Sequence, residues 1–155
     1  MTVMPRYAVG GRSAATAATA NHCAAALWNP HATKSIKVRE IWVFKTVATA
    51  DNHALQRITG RGTPGSTVTP DANNCLDCPL VTPQSGALLD LAAYTAQPTL
   101  AGVPLARANL PAAIGSGFIW VFAEPIEINP GTGLAIITPV AVILQPSDFT
   151  FVWDE

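Results

Sequence analysis

From Ile36 onward apolar side chains recur at every second position, and this two-residue period constrains the fold more than any other feature of the chain. In "SIKVREIWVFKTVA" the even positions Ile36, Val38, Trp42 and Phe44 make one apolar face, while the odd face changes from Lys37 and Arg39 to Ile41 and Val43. Successive side chains of a strand point to opposite faces, so the segment reads as a long strand, exposed on one side at its start and covered on both sides later. "GFIWVFAEPIEI" repeats the pattern, with Phe118, Trp120, Phe122, Ile126 and Ile128 on one side. Leu134, Ile136, Val140, Val142 and Leu144 form the next strand, and Phe149, Phe151 and Trp153 the last.

The punctuation between these runs is turn chemistry. "GRGTPGS", "NPGTG" and "QPSD" supply glycine for positive φ and proline to preset φ. Pro130–Gly133 reads as a hairpin-type connection between two core strands, and "ALQRITG" as a strand before the turn at Gly60–Gly65. Aromatic and β-branched strands separated by such turns predict an all-β protein, an antiparallel sandwich or barrel. One short helix is expected in "SGALLDLAAY", about two turns with Ser85 near its N-cap. Proline spacing between Pro64 and Pro111 predicts loops and short edge strands. Ser13–Ala20 has no large apolar residue to anchor it, so residues 1–22 are expected as a flexible or extended arm, with the sandwich domain at 23–155.

A chain of 155 residues is the size of one domain, large enough for a real core. Charged residues are only 12% of it, against about 25% in a typical soluble protein, so much of its surface is neutral or apolar. That predicts an oligomer or a component of an assembly. No uninterrupted apolar run reaches the roughly 18 residues of a membrane span, and Leu134–Leu144 is short and broken by Pro139. The N-terminus lacks the apolar h-region of a signal peptide, and three cysteines are an odd number, so a cytosol-made protein is expected.

Charge is divided unevenly along the chain. Residues 1–61 carry eight of the nine Lys and Arg against Glu40 and Asp51, a net +6, and the remainder carries Arg107 against eight acids, a net −7. In a sandwich the two halves interleave in space, so the charges are expected to cancel locally; the alternative is one basic face that docks on an acidic partner. No cluster of basic and aromatic residues of the nucleic-acid-binding kind is present.

Few residues suggest chemistry. Cys75 and Cys78 in "NNCLDCP" have the spacing of half a zinc knuckle, a local disulfide or two free loop thiols, and Cys23, His22, His31 and His53 offer no second paired spacing. A nucleophile needs a base and an orienting group, yet "GSG" at Gly115–Gly117 is not a G-x-S-x-G elbow and reads as a loop leading into Phe118. Glu124 and Glu127 stand three apart, on opposite faces of a strand unless Pro125 introduces a bulge, and are expected to protect an edge. No phosphate-binding glycine loop and no dinucleotide fingerprint is expected, and no catalytic, cofactor or metal site is expected beyond the weak pair Cys75 and Cys78. Trp28, Trp42, Trp120 and Trp153 read as core or interface residues, with a carbohydrate platform as the alternative.

Four phrases carry a resemblance: "ALWNPHATKSIKVREIWVF", "RITGRGTPGSTVTP", "FAEPIEINPGTGLAI" and the final "FTFVWDE". Together, over roughly residues 24–70 and 117–155, they resemble small structural proteins from the head gene clusters of tailed bacteriophages. The resemblance implies a jelly-roll-like β-sandwich that forms trimers and sits on the capsid surface as a cement or decoration protein. The implied partners are further copies of the chain and a major capsid protein, with no cofactor, membrane or nucleic acid. On that reading Arg6, Arg12, Lys34, Lys37 and Arg39 are the expected capsid contacts. A head-fibre, tail-associated or carbohydrate-binding module is the alternative.

Overall fold

The computed structural model describes residues 4–77 and 84–155, and they build two antiparallel sheets packed face to face. In chain order the strands are β1 (Arg6–Arg12), β2 (His22–Asn29), β3 (Ile36–Lys45), β4 (Asp51–Gly60), β5 (Ser66–Val68), β6 (Leu88–Leu91), β7 (Thr99–Leu110), β8 (Gly117–Ile128), β9 (Thr132–Thr138) and β10 (Ser147–Asp154). One sheet has four strands in the order β1-β10-β3-β8, the other six in the order β5-β6-β2-β9-β4-β7.

The pairing is nested. β1 pairs with β10, β2 with β9, β3 with β8 and β4 with β7, as if one long doubled hairpin had been rolled up on itself. Setting aside β5 and β6, which lie between β4 and β7 in the chain and extend the β2 edge, this is a jelly-roll arrangement. The all-β sandwich expected from the alternation is therefore present.

The inner faces supply one continuous core. Tyr7, Leu27, Ile36, Ile41, Leu55, Leu89, Ile128, Leu134, Phe149, Phe151 and Trp153 are all fully buried there. Rolling the hairpin brings Tyr7 and Trp153 from opposite ends of the chain into a stack with ring centroids 5.8 Å apart. A second, smaller core covers the outer face of the six-stranded sheet, where Cys23, Ala26, Ala54, Ile58, Ala135 and Ile137 lie under Ala92 and Tyr94. Burial on both faces explains the alanines of β2: small side chains let neighbouring layers approach closely. Burial pushes the Cys23 thiol up to about 12, so it is an inert packing residue.

Several expectations are corrected. Residues 6–12 are β1 and belong to the sandwich, not to a separate arm ending at residue 22, because Tyr7 and Val9 are core residues. Ser13 and Thr16 donate backbone N–H groups to Ser147 and Leu144, so the chain beyond β1 is also tied down. "SGALLDLAAY" forms strand β6 and no helix: Leu88–Leu91 pair with β2, and Asp90 is held by Arg61. The only helical turn among the described residues is the 3-10 turn Ala72–Asn74. The proline-rich middle contains the 12-residue edge strand β7. Pro130–Gly133 is not a hairpin within one sheet, because it carries the chain from β8 in one sheet to β9 in the other, with Gly131 at φ 67°. Strand β9 ends at Thr138, so Val140, Val142 and Leu144 lie beyond it.

Candidate interaction surface

The four-stranded sheet has two edges, and they differ. Along β1 the edge is closed by the segment around the 3-10 turn. Leu76 N–H donates to the Arg6 carbonyl at 2.7 Å, Arg6 N–H donates to Asp77 Oδ1 at 2.7 Å, and Tyr7 bridges to Cys75. At the other edge no strand among the described residues pairs with the free side of β8.

Edge strands are normally guarded by charge, proline or a bulge. The run Gly117–Ala123, "GFIWVFA", has no charge and no proline; both acids and Pro125 come later, where β8 also carries a register shift against β3. Both faces of this run are partly open. Phe118, Trp120 and Phe122 pack only partly against the core, with Phe118 and Trp120 rings 4.4 Å apart. On the opposite face Ile119 is 48% and Val121 68% exposed.

The exposed face continues onto β3. Trp42, 37% exposed, pairs with Ile119, and Phe44 lies beside Gly117, where an added Cβ would come within 2.3 Å of its ring. Trp42 and Phe44 were expected to be covered. The reason they are not is a bulge: β10 pairs Val152 with Glu40 and Trp153 with Val38, leaving Arg39 as the extra residue. One extra residue reverses the alternation, so Ile36 and Val38 point inward before it and Ile41 and Val43 after it. Trp42 Nε1–H donates to Glu40 at 2.9 Å, which fixes the indole on the surface. The face thus presents Trp42, Phe44, Ile119 and Val121 as one apolar patch.

The basic residues singled out in the sequence do not form an unopposed basic face. Arg6 and Arg39 both donate to the buried carboxylate of Asp154, at 2.9 and 2.5 Å, and Lys37 lies opposite Asp154 in the register. Arg12 pairs with Asp148 at the other end of β1, and Lys34 sits in the loop before β3. Further pairs join Arg61 to Asp90 and His31 to Glu155, so the basic first half is matched by acids of the second half, as interleaving predicts.

The remaining candidates are scattered. Cys75 is disulfide-bonded, which removes it as a zinc ligand and corrects the free-thiol reading, and Cys78 lies outside the described residues. His22 contacts Gln97, His31 contacts Glu155 and His53 is buried, so the three are not gathered at one site. No group of three His, Cys, Asp or Glu able to hold a metal occurs among the described residues. Gly115–Gly117 is the loop leading into β8. "GRGTPG" at Gly60–Gly65 does have G-x-G-x-x-G spacing, but it joins β4 to β5 without the following helix that makes such a loop bind phosphate. Trp153 is fully buried and Trp28 packs against the second core. Among the described residues no helix is long and apolar enough to cross a membrane. Compared with known proteins, the chain matches no family model and no curated protein.

Proposed function

We propose that the protein is a structural assembly module, a capsid cement or decoration protein of a tailed phage, whose copies associate through β8 and the adjoining face of β3. The observation that carries the self-association is the β8 edge: seven consecutive uncharged residues, Gly117–Ala123, whose free side no strand among the described residues pairs with, and apolar side chains partly open on both faces. Such an edge is an aggregation template unless another chain covers it. A second copy is the proposed occupant: the resemblance implies a trimer, and a ring of three needs a head-to-tail contact in which β8 meets a different surface of the next copy. The virion assignment rests on the four-phrase resemblance and on the jelly-roll topology that agrees with it.

The mechanism is mass action. A protein that binds the assembled shell and not its separated subunits stabilises the shell by that differential affinity. Arg6, Lys37 and Arg39, gathered at one end of the four-stranded sheet, with Arg12 and Lys34, are the proposed shell contacts; because most are already paired with acids, salt should weaken binding only modestly. The test is co-sedimentation with phage heads stripped of accessory proteins. Binding to assembled heads, none to dissociated capsid protein and a higher head melting temperature are expected; equal or absent binding to both would reject the assignment. The exposed Trp42 beside Phe44 favours a carbohydrate-binding virion module as the second reading, and glycan-array binding lost in Trp42→Ala would select it.

A further inference from the structure

Lys45 is the last residue of β3, in the four-stranded sheet, and Asp51 the first of β4, in the six-stranded sheet. Their side chains are 0% and 2% exposed, with Lys45 Nζ 3.7 Å from Asp51 Oδ2. His53, also 0% exposed, places Nε2 3.4 Å from the same oxygen. Among the described residues none of these atoms has a hydrogen-bond partner, nor has His53 Nδ1. Buried ionic groups are tolerated when hydrogen bonds satisfy them, so two such groups converging on one carboxylate oxygen call for another explanation.

The surroundings hold the groups in place. Asp51 Oδ1 accepts the Asn52 backbone N–H at 2.9 Å. Phe118 and Phe149 wall in the imidazole, with ring centroids 6.0 and 6.2 Å away. The Lys45 backbone is pinned at both ends, its N–H donating to Ser116 and its carbonyl accepting from Gly115, each at 2.9 Å. An amine fixed beside a carboxyl group in a water-poor enclosure has the arrangement from which an amide forms, since the entropic cost of bringing the reactants together is met by folding.

We infer that Lys45 and Asp51 join in an intramolecular isopeptide bond between Nζ and Cγ, with His53 as the proton carrier. Passing one proton from Nζ to Oδ2 gives an amine and a carboxylic acid whose hydroxyl oxygen is Oδ2. The nitrogen lone pair adds to Cγ, and the C=O electron pair collects on Oδ1, where the Asn52 N–H stabilises it. His53 takes a proton from the tetrahedral nitrogen and delivers it to Oδ2. The Cγ–Oδ2 bond then breaks, the carbonyl re-forms on Oδ1, and one water leaves. Nothing is oxidised or reduced, and no co-reactant is needed. Asp51 also lines a surface pocket of about 290 Å³ with Ala50, Asn52, Asn109, Leu110 and Val142. The bond would staple the two sheets together where β3 passes into β4.

The test is the intact mass of the wild-type protein, denatured and with its disulfides reduced. The expected mass is one water below that of the sequence. Trypsin should leave Lys45 uncut, yielding Glu40–Arg57 as a single peptide lighter by one water. Lys45→Met and Asp51→Ala should each restore the full mass, and freshly made His53→Phe should carry the unlinked form. A wild-type protein at its full sequence mass with normal cleavage after Lys45, or a deficit that persists in Lys45→Met, would overturn the inference.

Discussion

Arg12 and Asp148 meet across β1 and β10 in a two-point contact, Nε to Oδ1 at 2.7 Å and Nη2 to Oδ2 at 2.9 Å, although 136 positions separate them in the chain. The pair shows how the roll of the sandwich brings the basic first half onto the acidic second half. The hydrogen bonds from Arg12 hold the Asp148 carboxyl below its ordinary range. A lowered folded value means that any stability from this group is present above the unfolded value and is lost as pH falls through the folded one. Both side chains are largely solvated, so replacing Arg12 with Ala is expected to leave the unfolding midpoint nearly unchanged at neutral pH.

Glu155 gives the larger acid response. Burial alone would raise its value, but the Ser85 hydroxyl, the Gly86 N–H and His31 all contact its carboxylate and together hold it below the ordinary 4.5. Its contribution is therefore complete above that value and disappears as pH falls through the folded value. Glu155→Gln should cost about 1–3 kcal/mol at pH 7, and the gap between variant and wild type should close in acid. Urea unfolding at both pH values checks this.

Gly117 has no room for a side chain, because an added Cβ would lie 2.3 Å from the Val43 carbonyl and from the Phe44 ring. Gly117→Ala should displace Phe44 or the start of β8 and cost about 1–3 kcal/mol, read from the same unfolding curves.

Trp153→Ala removes the partner of Tyr7 from the core and should cost about 3–5 kcal/mol. Deleting residues 1–22 takes away β1 and Tyr7 with it, so thermal unfolding of that variant should lose cooperativity; removing a detached arm would leave the transition intact.

Much of the fold is legible in the sequence because a two-residue period with glycine and proline turns has few structural solutions. What escapes is set by long-range partners. The one-residue bulge at Arg39 leaves no mark in composition, yet it decides that Trp42 and Phe44 face outward. "LLDL" fits a short helix as well as a strand until the alanines of β2 and the guanidinium of Arg61 are placed beside it. In β1 the glycines look like linker, but Gly10 and Gly11 are there because Thr150 and Leu91 occupy the space a Cβ would need. The apolar surface expected from the low charge content is present; its location on β8 depended on knowing which strands lie at edges.

The most direct test of the account is the solution mass of wild type and of Ile119→Lys/Val121→Lys, measured by light scattering over a range of concentrations. Both replaced residues are exposed in the single chain, so the double variant should still unfold cooperatively, with a melting temperature lowered only by the loss of association. Wild type should be an oligomer of three chains and the variant a monomer. A wild-type protein that stays monomeric at every concentration, or a variant that keeps the wild-type mass, would contradict assembly through β8.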